Sequence, residues 1–311
     1  MDAVKLLNLA LRFLLELCML AAVGYWGFKT QSTWALKILF GIGLTLTVND
    51  FKKIFVQPKA VVVALGFQMI ALPLLAFLIC FVAPIKNEFK VGLIILACSP
   101  GGSTSGFISY LLKANIALSV SLTAINSLLT LVSIPLLVSL ALSVFMAEST
   151  HITLPIIPSV VQIFVVIIVP TFIGVAVRHF YENFAIRIEK VVRVLMIVLL
   201  LVVYIIKFFA SPENGGANIL VSDYVEILPV AVIFNLVCII FGYFFIKLFS
   251  LDHKTGITTS VETSVHNTPL AILLASSVIG DQEMVKPILI YSLFFQKYFK
   301  NYPNGLTFGA V

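Results

Sequence analysis

The segment Ser260-Val261-Glu262-Thr263-Ser264-Val265-His266-Asn267-Thr268-Pro269 places an acidic residue and a proline inside an apolar stretch that covers residues 254–279. A stretch of this length predicts a helix that crosses a bilayer, because about 20 apolar residues span ~30 Å of hydrocarbon. Proline lacks the amide that a helical ladder uses, so the helix should open near Pro269. The segment therefore predicts a membrane helix that is interrupted near its middle.

A second apolar stretch, residues 89–112, is interrupted in a comparable way by Ser99-Pro100-Gly101-Gly102-Ser103. Proline and glycine weaken a helix, and the carbonyls that they free can coordinate a cation. The N-terminus of the half-helix that follows can face an anion. Either break alone could be a kink between packed helices. Two breaks at equivalent places, both rich in hydroxyl and amide groups, favour the binding site of a secondary transporter.

The composition of the whole chain is typical of a membrane protein. Of its 311 residues, 60% are hydrophobic and only 11% are charged, whereas about a quarter of a soluble domain is charged. Membrane spans must pair their backbone groups internally, which predicts helices. The net charge of +6 does not indicate nucleic-acid binding, because the basic residues are scattered singly and in pairs. Ten apolar segments can be delimited, near residues 4–27, 33–50, 58–82, 89–112, 117–146, 155–178, 186–209, 225–249, 254–279 and 283–300.

The ten segments divide the chain into two halves of five, residues 1–150 and 151–311. Because five spans reverse the side of entry, the second half must enter the membrane in the opposite sense. The fourth segment of each half is the interrupted one, which predicts two inverted repeats. Most of the Lys and Arg residues fall in regions that are cytoplasmic if both termini are cytoplasmic, which predicts a multi-pass protein of the inner (plasma) membrane with that orientation.

Glu262 is the most informative single residue. A carboxylate near the centre of a bilayer costs roughly 2.5–3.5 kcal/mol on insertion scales, so it needs a partner or a cation. Sodium is a hard cation and prefers oxygen ligands, which are abundant around Glu262. A protonated, structural glutamate is the alternative interpretation.

Other polar residues in the apolar segments are better explained by packing. Arg12 and Glu16 stand one helical turn apart and can neutralise each other as a structural pair. Asn126 and Gln162 are single amides on apolar helices, and we expect them to hold helices together rather than to bind substrate.

Several segments taken together resemble the bile acid:sodium symporter family, which includes the vertebrate intestinal and hepatic bile acid carriers and many bacterial homologues. Their order and the ten-helix inverted repeat match the family as well. The segments are Gly41-Ile42-Gly43-Leu44-Thr45-Leu46, Asp50-Phe51-Lys52, Pro58-Lys59, Gln68 with Pro73, Cys98-Ser99-Pro100-Gly101-Gly102, Asn115-Ile116-Ala117-Leu118-Ser119, and Glu262 with Asn267.

The resemblance implies an all-α fold in which predicted helices 1, 2, 6 and 7 form a panel. Predicted helices 3, 4, 5, 8, 9 and 10 would form a core, with helices 4 and 9 crossing at their breaks. The implied function is sodium-coupled symport of an organic anion by alternating access, without covalent chemistry, by a monomer in the lipid bilayer. The breaks would be formed by Pro100, Gly101, Gly102 and Pro269, and the anion would lie near Ser103, Thr104, Asn267 and Thr268.

The resemblance also implies one or two bound sodium ions. The first site would use Ser105, Ser119, Thr123 and Glu262. The second would use Gln68, Glu262, the carbonyls of Thr263 and Val265, and the side chain at His266. Helical periodicity supports the first set independently, because residues four apart, such as Ser119 and Thr123, lie on one face.

Two positions depart from the family pattern. Gly106 stands where the family usually has an asparagine, and His266 stands where it has a glutamine. A protonated His266 would repel a cation, so we expect a second site lined by His266 to bind sodium less well as the pH falls. A histidine merely bonded to Glu262 or to a carbonyl is the alternative.

Three other functions are kept open by the residues alone. A proton-coupled carrier could use Glu262 and His266. An intramembrane enzyme could use the same pair as base and acid, although no nucleophile arrangement or metal-ligand motif accompanies them. A sensor that binds an anion without transporting it is the third.

Overall fold

The computed structural model describes residues 57–99, 101, 103–146, 202–211 and 214–300, together with isolated positions between 173 and 184. All regular elements within these residues are helical, and no strand occurs among them. Predicted helices 1 and 2, most of helices 6 and 7, and residues Arg12, Glu16 and Gln162 lie outside the described residues.

The first described helix contains a local widening at the residue predicted to bind a cation. Helices α1 (Pro58–Gly66) and α2 (Leu72–Val82) are joined by a π-helical turn, Phe67–Ala71, which includes Gln68. The Leu72 amide donates to the Phe67 carbonyl, five residues back. Pro73 follows and cannot donate an amide to the ladder, which accounts for the altered pairing at this point.

The next three helices follow the predicted boundaries closely. Helices α3 (Asn87–Ala97) and α4 (Ser103–Leu111) are the two halves of the predicted fourth helix. Helix α5 (Ile116–Phe145) is 30 residues long and is preceded by its N-cap residue Asn115, whose side chain accepts a hydrogen bond from the Leu118 amide. That bond satisfies one of the amides that a helix leaves unpaired at its N-terminus.

The second half of the chain repeats this interrupted arrangement. Helix α6 (Val221–Leu248) precedes α7 (His253–Ser264), α8 (Thr268–Leu273) and a π-helical turn, Leu274–Ile279. The left-handed residue Gly280, at φ 84°, ends this run. Helix α9 (Val285–Lys300) follows, and residues 202–209 form a further helical stretch. Helices α7 and α8 are the two halves of the predicted ninth helix.

The distribution of side chains is that of a protein in lipid. Pro58–Val82 and Val221–Leu248 are each long and apolar enough to cross a membrane, with mean hydropathies of 2.4 and 2.5. Large apolar residues such as Val62, Leu136 and Phe244 are exposed, whereas hydroxyl and carboxylate groups along α7 are buried. This placement is the reverse of the one expected in water, and it fits a hydrocarbon solvent.

Helix α3 lies at the centre of the packing. Most of its side chains are buried, including Phe89, Leu93 and Ile94, and the helix packs against α2, α5, α8 and α9. Helix α7 packs closely against α6 because Gly242 has no side chain at their contact. A Cβ added there would lie 2.6 Å from Thr263 Oγ1. These contacts hold both interrupted helices inside the described core.

Candidate functional site

The two interruptions meet in space. Helix α3 ends at Ala97 and α7 ends at Ser264, and the Asn267 amide donates to the Ser99 carbonyl at 3.2 Å. In a continuous helix that amide would donate to Thr263 instead. An amide that is freed at the second break, Asn267 N–H, therefore donates to a carbonyl that is freed at the first break, Ser99 C=O.

Backbone carbonyls at the end of α7 have lost the amide donors that a continuous helix would supply. The partner that a helix would supply to Val265 is Pro269, which has no amide hydrogen. The Ser264 carbonyl instead accepts from the Tyr291 hydroxyl at 2.7 Å and from Asn235 Nδ2 at 3.5 Å. The opened backbone is thus partly satisfied by side chains from α6 and α9, and the Thr263 and Val265 carbonyls lie at the opening.

Three hydroxyl groups from two helices converge on the Glu262 carboxylate. Ser105 Oγ, on α4, donates to Oε1 at 2.8 Å. On α5, Ser119 Oγ also donates to Oε1, and Thr123 Oγ1 lies 3.5 Å from Oε2. Glu262 is only 1% exposed. The four residues that were predicted to form the first sodium site are therefore assembled around one buried carboxylate.

The opened backbone of the α3–α4 break packs directly on this carboxylate. A Cβ added to Gly101 would lie 2.8 Å from Glu262 Oε2 and 2.9 Å from Ser105 Oγ. Distances this short mean that any side chain at this position would have to displace Glu262 Oε2 and Ser105 Oγ. Gly106 differs, since an added Cβ would approach only Ser119 Oγ, at an ordinary 3.6 Å.

Among the residues that the structure describes, the surroundings of Glu262 supply hydroxyl dipoles but no fixed countercharge. Within the part of the chain that the structure describes, its interactions are with Ser105, Ser119 and Thr123, and no Lys, Arg or His pairs with it. Hydroxyls stabilise a carboxylate only partly at this depth. They can also turn their oxygens toward a cation, so the arrangement is suited to holding a hard monovalent cation.

Gln68 is not part of this cluster. Its side-chain oxygen accepts a hydrogen bond from Asn126 Nδ2, and no hydrogen bond joins it to Glu262 among the described residues. Both residues are buried, and Gln68 Nε2 and Asn126 Oδ1 have no hydrogen-bond partner within the described ranges. The predicted second cation site therefore stays a prediction, and the contact that the structure adds to it is the one between Gln68 and Asn126.

His266 lies in an aromatic environment. Its ring stacks on Phe234 at 5.6 Å with an interplanar angle of 7° and packs against Tyr291 at 5.3 Å. The Ser99 carbonyl is close to the ring, yet neither ring nitrogen meets hydrogen-bond geometry with any described group. The ring makes no bond to Glu262, so the alternative in which those two side chains are bonded is not observed.

The residues predicted to face the anion flank the contact between the breaks. Ser103 and Thr104 form the first turn of α4, and Pro269 lies in the first turn of α8. The Asn267 side chain accepts from the Leu270 amide at 3.2 Å and so caps α8. Thr268 is the first residue of α8. Pro100 and Gly102 lie outside the described residues.

The sequence interpretation did not assign Asn126, Asn235 or Tyr291 to the site. Asn126 was interpreted only as a helix-joining amide, although its position seven residues after Ser119 places both on one helical face. Asn235 and Tyr291 are single polar groups on apolar helices, and no spacing relates them to Ser264. Only the packing of α6 and α9 against α7 brings them to the opened backbone.

Comparison with known proteins identifies the family. The profile of the sodium bile acid symporter family matches residues 35–214, which is more than half of the chain. The chain belongs to this family. Membership places it among sodium-coupled membrane transporters and not among enzymes. The matched residues include α1 to α5 and the first of the two breaks.

Individual relatives extend over more of the chain than the family profile does. It is 30% identical over 258 residues to an uncharacterized sodium-dependent transporter, YocS, from Bacillus subtilis, covering 82% of this chain and 76% of that protein. It is 25% identical over 255 residues to a probable chloroplastic sodium/metabolite cotransporter, BASS1, from Arabidopsis thaliana, covering 82% of this chain and 61% of that protein.

A mouse protein, sodium/bile acid cotransporter 4, is 28% identical over 261 residues, covering 82% of this chain and 58% of that protein. The chain thus spans about three fifths of the Arabidopsis and mouse relatives. All three relatives match far beyond residue 214, and therefore include much of the second half.

Proposed function

We propose that this family member is a sodium-coupled symporter of a small organic anion. The observation that carries the proposal is the Glu262 carboxylate, which is buried with three hydroxyl partners and no described basic partner. A sodium ion at this position would neutralise the buried charge, with Ser105, Ser119 and Thr123 turning their oxygens toward it. The ion would then hold α4, α5 and α7 together.

The anion would bind where the two breaks meet. Backbone amides in the first turn of a helix, here at Ser103 and Thr104, have no partner inside the helix, and such amides favour an anionic group. Asn267 and Thr268 lie at the corresponding place on the second break. A carboxylate or sulfonate there would be attracted both by these amides and by the neighbouring cation. This mutual attraction is the physical basis that we propose for coupling sodium binding to anion binding.

The proposed architecture is the ten-helix one. Residues 1–150 and 151–311 would form two inverted repeats, with both termini cytoplasmic in the plasma membrane. Predicted helices 1, 2, 6 and 7 would form a panel that rocks against the other six helices. Sodium and anion would change the relative populations of the outward-open and inward-open states through their different affinities for each. We propose that a monomer is sufficient for this cycle.

Uptake into liposomes tests the proposal. Purified protein should accumulate a small carboxylate or sulfonate when sodium is high outside, and the accumulation should collapse with a sodium ionophore. The Glu262→Gln variant, which removes the negative charge and keeps the shape, is the matched control and should show no sodium-driven uptake. Accumulation driven by a proton gradient without sodium would instead support the proton-coupled alternative. Sodium-dependent binding of the anion with no accumulation would support the sensor alternative.

A further inference from the structure

Polar side chains continue along α5 beyond the cluster of hydroxyl groups around Glu262. Ser119, Thr123 and Asn126 occupy α5 at intervals of four and three residues, so the three side chains lie on one face. Ser119 and Thr123 reach Glu262, and Asn126 reaches Gln68 on the π-helical turn. A continuous set of oxygen-bearing side chains therefore runs from Glu262 along α5 to Gln68.

The Asn126–Gln68 pair is buried and incompletely satisfied. Asn126 is 0% exposed and Gln68 is 2% exposed. One hydrogen bond joins them, yet Asn126 Oδ1 and Gln68 Nε2 have no partner among the described residues. Leaving a buried amide group unpaired is costly, so two such groups side by side indicate that a polar ligand binds here.

Gly106 and His266 stand where the family has an asparagine and a glutamine, and neither residue can supply the side-chain oxygen of the amide that it replaces. Gly106 has no side chain. His266 packs between Phe234 and Tyr291, and a histidine has no side-chain oxygen. Asn126 carries a side-chain amide on the same face of α5 as Ser119 and Thr123. It contacts Gln68, the side-chain amide in the predicted second site.

We propose that Asn126 is a sodium ligand in this chain and that it forms the second cation site together with Gln68. This inference rests on the proposed function, because it names a residue of the same sodium-binding region. Without the ion, Asn126 donates its amide hydrogen to the Gln68 oxygen. A half-turn of the Asn126 amide replaces that donor with Oδ1, and two facing amide oxygens repel each other unless a cation lies between them. Thr123, one turn before Asn126, lies between this site and Glu262.

A purely structural role predicts a different behaviour. If the pair only joins the π-helical turn Phe67–Ala71 to α5, its loss should destabilise the protein equally with and without sodium. If Asn126 is a ligand, its loss should reduce the stabilisation that sodium produces. Bound ligand raises stability in proportion to the logarithm of its concentration, and the slope reports the number of ions bound.

The experiment measures thermal stability of detergent-purified protein across sodium concentrations, with choline holding the ionic strength constant. We expect a slope of about two ions for the unmodified protein and about one for Asn126→Ala and for Gln68→Ala. The double variant should resemble each single variant, since both remove the same ion. Ser121→Ala is the control, because it removes another buried polar group of α5, whose hydroxyl donates to the Ala117 carbonyl, and it should leave the slope unchanged.

Asn126→Ser provides a milder change if the alanine variant does not fold, and it should raise the half-saturating sodium concentration at least fivefold. A lower sodium-free melting temperature with an unchanged sodium slope, in either variant, would overturn the assignment of Asn126. If the unmodified protein shows no sodium stabilisation at all, the proposed function itself fails and the inference fails with it. Sodium titration calorimetry on the same samples gives the stoichiometry independently.

Discussion

Two carboxylates in this protein are equally buried and have very different partners. Glu262 is 1% exposed and Asp223 is 2% exposed. Glu262 accepts hydrogen bonds from Ser105 and Ser119 and lies near Thr123. Asp223, in the first turn of α6, lies 2.9 Å from Lys286 Nζ on α9 and 3.8 Å from Lys86 Nζ.

The Asp223 cluster is complete without any added ion. Lys286 is itself buried and also lies 2.6 Å from Glu283, while the Leu220 amide donates to Asp223 at 2.9 Å. These contacts join the start of α6 to the start of α9. A buried carboxylate with a fixed cation is a permanent part of the structure, because removing either charge leaves the other unpaired.

The Glu262 cluster has the same need for a positive charge, but no fixed group among the described residues supplies it. Hydroxyl partners lower the cost of the charge but do not cancel it. Among the described residues, Asp223 is paired with lysine, whereas Glu262 is surrounded by hydroxyl oxygens. The first arrangement suits a structural carboxylate, and we propose that the second accommodates an exchangeable cation.

The largest effect should come from removing the Glu262 carboxylate. We expect Glu262→Ala to abolish sodium-driven uptake and the sodium-dependent rise in melting temperature, while the sodium-free protein stays as stable as before or becomes more stable. The reason is that the variant loses an uncompensated buried charge. Thermal melts with and without sodium check this. A sodium response that survives in the variant would contradict the assignment of Glu262.

Removing Lys286, the fixed cation beside Asp223, should have the opposite effect: stability should fall while sodium binding is unchanged. Lys286→Met leaves Asp223 without its nearest countercharge and should lower the free energy of unfolding by about 3 kcal/mol. Sodium affinity should be unchanged, because the change is confined to the ends of α6 and α9. The matched control is Lys86→Met, whose side chain is 52% exposed and 3.8 Å from Asp223, and whose effect should stay below about 1 kcal/mol.

A smaller effect should follow from crowding the Glu262 cluster without changing its charge. In Gly101→Ala the new Cβ would approach both Glu262 Oε2 and Ser105 Oγ, at 2.8 and 2.9 Å. We expect sodium affinity to fall about tenfold, the equivalent of about 1.4 kcal/mol. Gly106→Ala is the matched control and should bind sodium as the unmodified protein does. Equal affinities in both variants would show that the Gly101 contact is irrelevant to the site.

Adding a polar group beside the same cluster should strengthen it. Gly106 has room for a side chain near Ser119 Oγ, and Gly106→Asn adds an amide oxygen there. We expect sodium affinity to rise about fivefold, as for a gain of ~1 kcal/mol from one additional polar contact. Calorimetric sodium titration measures it. Gly106→Leu has the same branching at Cγ without the oxygen, and if it binds sodium as well as the asparagine variant does, coordination is not the cause.

The smallest effect concerns a third kind of carboxylate, in the loop before α9. Partial burial raises the pKa of Asp281 above its ordinary value of 3.8, and Glu88 and Glu283 raise that pKa further. The folded state therefore binds this proton more tightly than the unfolded state, so stability declines as pH rises from 3.8 through the raised pKa. Asp281→Asn should give a slightly higher melting temperature at pH 7 and a flatter profile between pH 4 and pH 7. Parallel pH profiles for the two proteins would exclude this contribution.

The sequence by itself determined the helices that the structure describes and the residues around Glu262. Predicted segments 58–82 and 117–146 correspond to Pro58–Val82 and Ile116–Phe145, because apolar length and the flanking polar residues are local properties. The two breaks were predictable for the same reason, since proline interrupts a helix whatever surrounds it. Ser119 and Thr123 were predicted by spacing and by resemblance, and the structure brings both to Glu262.

The tertiary structure alone decided which neutral and charged groups are paired across helices. Asn126 and Gln68 are 58 residues apart, and nothing in the spacing of either indicates the other. The ring of His266 could have faced Glu262, but the packing of α6 and α9 places it against Phe234 and Tyr291. Periodicity specifies which face of a helix a side chain occupies. What that face meets depends on how neighbouring helices pack, and in this protein that packing gives Asp223 a lysine and leaves Glu262 with hydroxyls.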